Sequence, residues 1–90
     1  VQEEDHIRSS AEQDRIVESA VLQHLLALHP AAVTVAELVR ELAPDGEPFA
    51  RSDAIERAVR DLVGAGLLHR SESLVLPSRA ALRFDRLLGE

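Results

Sequence analysis

Ile55, Ala58, Val59, Leu62 and Val63 recur at helical spacing and run straight into Gly64-Ala65-Gly66, a sequence that ends a helix. An amphipathic helix over 53–63, capped by Ser52, is the best-defined element, and the rest of the chain has to cover its apolar stripe. Beyond the glycines the pattern turns extended. The apolar runs 67–70 and 74–76, separated by Ser71-Glu72-Ser73, predict a small hairpin.

Upstream, Ser9 and Ser10 each stand three residues before Glu12 and Gln13, two overlapping capping boxes that start a first helix. It runs to Leu28, because Pro30 pushes His29 out of the helical region. Ile16, Val17, Ala20, Val21, Leu25, Ala27 and Leu28 cover half of its cylinder, and Leu22 and Leu26 fall outside that arc. Residues 32–34 read as extended, and Thr34 with Glu37 forms a further capping box for a helix over 35–43 striped by Leu38, Val39 and Leu42. Pro44-Asp45-Gly46 is a turn, prolonged through Arg51 into a connection of about eight residues that Phe49 pins to the core. Pro77-Ser78 caps a final helix over 79–88. Its buried face reads as Ala80, Ala81, Phe84, Leu87 and Leu88, with Leu82 beside the arginines.

The 90 residues allow one domain, over 10–90, preceded by an acidic arm over 1–9. With two Phe and no Trp, Tyr or Met, its core is aliphatic. The absence of cysteine removes disulfides, thiolate nucleophiles and Cys-based zinc sites, which points to a reducing cytoplasm. No apolar run approaches the roughly 18 residues of a membrane span, and the acidic N-terminus is unlike a signal peptide. His24 and His29 are five apart, the wrong spacing for two ligands on one helix face, and His6 and His69 are isolated, so no metal is expected. No GxSxG, P-loop or dinucleotide-binding glycine pattern occurs, so neither an enzyme nor a cofactor is expected.

The net charge of −6 is unevenly spread: residues 1–48 carry ten acids against three arginines, and residues 49–90 six acids against seven. The second half is the candidate anion-facing half. All ten basic residues are Arg, which suits planar, bidentate contacts and equally reflects a compositional bias.

Helix, short strand, helix, helix, two-stranded hairpin and a C-terminal helix make a mainly α chain with a small β-hairpin, and in this order it resembles the winged helix-turn-helix domain. The resemblance is carried by Ala58-Val59-Arg60-Asp61-Leu62-Val63-Gly64-Ala65-Gly66-Leu67-Leu68 and then by the wing-like Arg70-Ser71-Glu72-Ser73-Leu74, and covers residues 14–76. It implies a third helix in the major groove of double-stranded DNA and a hairpin on the flanking backbone. Two features depart from the family: the long connection before the third helix, and a wing tip bearing Glu72 with no basic residue.

On that reading Arg57 and Arg60 reach bases or phosphates, Ser52 and the helix N-terminus hold a phosphate, and Arg51 and Arg70 flank them. The competing reading is a self-paired surface, since Asp53–Arg57, Glu56–Arg60 and Arg57–Asp61 are opposite charges four apart. Arg79, Arg83 and Arg86 form one basic stripe on the last helix, either solvated, on DNA phosphates, or paired with an acidic segment such as Glu3-Glu4-Asp5. Leu22, Leu26 and Leu82 are surplus to a small core and suggest a homodimer through the first and last helices, as winged-helix regulators often form. The sequence therefore points to a small cytoplasmic DNA-binding transcriptional regulator. The alternative is a winged-helix protein-interaction or dimerisation module that does not bind DNA.

Overall fold

A computed structural model of the chain describes residues 2–42 and 48–89, with side chains for 11–42 and 52–89. In order, the elements are α1 (Gln2–Leu28), β1 (Val33–Thr34), α2 (Val35–Leu42), α3 (Pro48–Gly64), β2 (Leu68–Ser71), β3 (Leu74–Pro77) and α4 (Arg79–Gly89). Among the described residues, four helices thus accompany one three-stranded antiparallel sheet.

Two helices begin earlier than the sequence reading has them. α1 starts at Gln2, so the residues read as an arm continue the helix and the Ser9 and Ser10 boxes lie inside it. The Gln, Glu and Arg residues of this stretch are good helix formers even without an apolar stripe. α3 starts at Pro48, and proline suits a first helical position because its missing N–H has no partner there in any case. Ser52 is consequently a half-buried residue inside α3 and not its cap, and five residues, 43–47, separate α2 from α3 where about eight are expected. That five-residue linker and the side chain of Phe49 lie outside the described residues.

The capping box on α2 forms as read. The Thr34 amide donates to Glu37 Oε1 at 2.8 Å, the Thr34 hydroxyl donates to the same oxygen at 3.2 Å, and the Glu37 amide donates to Thr34 Oγ1 at 3.1 Å. The amide bond from Thr34, then its hydroxyl, with a smaller effect of Arg40, hold the Glu37 carboxyl below its ordinary value of 4.5. A depressed carboxylate stabilises the fold above its unfolded pKa and ceases to do so as pH falls through the folded one. Thr34→Ala, which removes the N-cap oxygen, is expected to cost about 1 kcal/mol at pH 7. The gap between variant and wild type should narrow without closing as pH drops below 4.5, because only the hydroxyl's bond to the Glu37 carboxylate titrates while its bond from the Glu37 amide persists, and urea melts across pH 3–7 would show it.

β1 is only two residues long, yet it pairs Val33 with Val75 and Thr34 with Leu74. β3 is thereby the central strand, with β2 on its other side from Leu68 opposite Pro77 to Ser71 opposite Leu74. Glu72 opens the two-residue turn of the hairpin with φ 57°.

The end of α3 is a Schellman motif: the Leu67 amide donates to Leu62 O at 2.9 Å and the Gly66 amide to Val63 O at 3.0 Å. Gly66 sits at φ +83°, the left-handed conformation that this motif demands.

The core is aliphatic: Val21 and Leu25 of α1, Leu38 of α2, Ile55, Ala58, Val59 and Leu62 of α3, Leu68 of β2 and Val75 of β3. Around α1, the arc facing this core is rotated from the expected one, since Val17 and Leu22 pack against it and Ile16 is 63% exposed. Leu22, Leu26 and Leu82 are all half-buried in the single chain, so they are not the surplus surface leucines that the sequence suggests.

On α4 the expected face holds only at Ala81. Ala81 is buried and Leu82, read as lying beside the arginines, is half-buried, so these two face the domain, while Ala80 is exposed and Phe84, Leu87 and Leu88 are 61%, 64% and 71% exposed. Ser78 fixes where α4 begins. Its Oγ accepts from the Ala81 amide at 3.1 Å and donates to Gly66 O at 2.7 Å, and its amide donates to Leu67 O at 2.9 Å.

Candidate functional site

The polar face of α3 and the adjoining strand β2 enclose a surface recess of about 610 Å³, lined by Asp53, Glu56, Arg57, Arg60, Val63 and Arg70. Helical spacing puts the first five on one side of α3. The sheet brings Arg70 to them, because the Schellman turn reverses the chain directly into β2. Three of the five residues singled out for DNA contact, Arg57, Arg60 and Arg70, therefore share one concavity. Three guanidinium groups face two carboxylates, a formal excess of one positive charge.

Arg57 is the one cation of this group with an ion pair among the described residues: its Nη2 lies 3.4 Å from Asp14 Oδ1 of α1, with side chains 51% and 56% exposed. At that exposure the pair is worth about 0–1 kcal/mol. None of the expected pairs within α3 closes to 4 Å, so the self-paired helix is replaced by a contact between helices. Arg70 leans along the hairpin, its Nε donating to Glu72 O at 3.4 Å. Arg60 is exposed and lines the recess.

Ser52 does not line this recess and, four residues into α3, has no helix N-terminus to offer. The Arg51 side chain lies outside the described residues. Arg79, Arg83 and Arg86 are exposed along α4 and contribute nothing to the recess. Asp14 escapes a reading of the sequence, since nothing local marks a partner 43 positions away.

No group of three His, Cys, Asp or Glu side chains that could hold a metal occurs among the described residues. His24 Nε2 is buried without a hydrogen-bond partner among the described residues. No described helix is long and apolar enough to cross a membrane. No protein family, no curated protein and no solved structure matches the chain.

Proposed function

We propose that the protein is a winged helix-turn-helix DNA-binding module, a small transcriptional regulator of the cytoplasm, with α3 as the recognition helix and the β2–β3 hairpin as the wing. One observation carries this reading: Arg57 and Arg60 of the helix and Arg70 of the hairpin line the same recess. The strand order β1-β3-β2 supports it, and so does a linker of five residues, closer to the compact turn of the family than the sequence suggests. Guanidinium groups pair bidentately with guanine and with phosphate, which is the chemistry such a surface would use.

A protein-interaction module on the same scaffold is the second reading, favoured by Asp14 engaging Arg57 and by the net charge of −6. Selection of bound duplexes from sheared genomic DNA at low salt separates the two. Enrichment of a common sequence is expected; no retained fragment at low salt would overturn the DNA reading, because phosphate attraction is strongest there.

A further inference from the structure

The α3 recess holds acceptors as well as donors, which a surface made to grip phosphate alone would not. Asp53 and Glu56 are exposed in it beside Arg57 and Arg60, and among the described residues neither carboxylate closes an ion pair. An anionic side chain repels phosphate oxygens. Against a duplex, these two groups therefore find a favourable partner only in a hydrogen-bond donor on a base edge.

The major groove offers two such donors, the N4 amine of cytosine and the N6 amine of adenine. The adenine amine stands beside the N7 acceptor of the same base, a pair that suits an amide side chain and repels a carboxylate. Cytosine presents its amine alone. Neither α3 nor the β2–β3 hairpin contains Asn or Gln, so no amide is at hand for adenine. Val63, the apolar residue of the lining, is half-buried against the core and gives a thymine methyl little to meet. Guanine has what an arginine needs, since its O6 and N7 together accept a guanidinium bidentately.

Arg57 is engaged by Asp14 and Arg70 by its own hairpin, while Arg60 has no such tie among the described residues. Glu56 lies one turn before Arg60 on the same face of α3. Side chains so spaced start about 5–6 Å apart, the span of one to two base-pair steps of about 3.4 Å. Resting on the reading of this recess as a duplex-binding surface, we propose that it recognises G·C pairs: Arg60 donates to O6 and N7 of a guanine, and Glu56 accepts from the N4 amine of a cytosine one or two steps away. The target is then a motif of guanine and cytosine read from its major-groove edge, and not a stretch of backbone.

Selection by the full chain from duplexes with a randomised central stretch tests the proposal. Wild type should enrich a G·C motif. Placing 7-deazaguanine at the contacted guanine keeps the base pair but removes N7, and should weaken binding about tenfold or more. Arg60→Ala should relax the choice of guanine. Glu56→Gln supplies the missing amide, so the selected cytosine should change to adenine, with little change in the slope of log affinity against log salt. A switched base preference is not something a loosened helix produces. Wild type that binds duplexes without base preference, enriches an A·T motif or ignores 7-deazaguanine would overturn the proposal and leave the DNA reading standing, as would a Glu56→Gln variant that still selects cytosine. Retention of no duplex even at low salt would overturn both.

Discussion

Replacing Arg57, Arg60 and Arg70 together by alanine is expected to weaken duplex binding roughly 100-fold or more, since each well-formed guanidinium contact is worth about 1–3 kcal/mol. The salt dependence distinguishes what the arginines do. If all three meet phosphates, the slope of log affinity against log salt should become shallower by about three units; if they read bases, affinity should fall with little change of slope while preference among sequences relaxes. The fold should survive, because all three side chains are exposed and, among the described residues, the one ion pair lost is that of Arg57 with Asp14. A triple variant that binds duplexes as the wild type does would remove the α3 recess as the contact surface.

The second large effect concerns stability. Leu38 is fully buried and is the one buried residue of α2, so it is the principal tie of that eight-residue helix to the core. Leu38→Ala should cost about 2–5 kcal/mol through lost transfer energy and the cavity left behind. Domains of this size have about 5–15 kcal/mol in total, so a loss of a large fraction of the stability, read as a markedly lower midpoint in urea melts, is the expected outcome. Phe84→Ala provides the contrast. The apolar pattern of α4 assigns Phe84 to the core, where its truncation would cost about 3–5 kcal/mol, whereas its 61% exposure predicts a change near zero in the monomer.

These two residues show what a sequence can and cannot convey. Leu38 is legible because α2 has one clear stripe and a capping box that fixes its start. The α3 stripe, its glycine stop and the hairpin are legible for the same reason: each depends on chemistry within a few residues. Phe84, Leu87 and Leu88 mislead because periodicity finds an apolar face without saying whether anything covers it. α4 meets the domain through its first turns, at Ser78, Ala81 and Leu82, and its own apolar strip faces away. The start of α3 is ambiguous for a local reason, as Ser52 looks like a cap and the stronger signal is Pro48 at a first helical position. Within the candidate site, residue type and spacing find the arginines, but the Asp14 partner and the pairing of β1 with β3 are tertiary facts with no nearby trace.

The bonds that Ser78 makes have a mechanical consequence. Eleven residues of helix rise about 16 Å from a single anchored end, so a tilt of about 10° at the serine displaces Leu88 by about 3 Å. Two of the four bonds at that anchor run to the backbone of Gly66 and Leu67, the residues that also terminate α3, and the other two come from the Ala81 and Leu82 amides. The direction of α4 is thus set at the corner where α3 turns into the sheet, and any displacement of that corner would be enlarged at the far tip of the last helix.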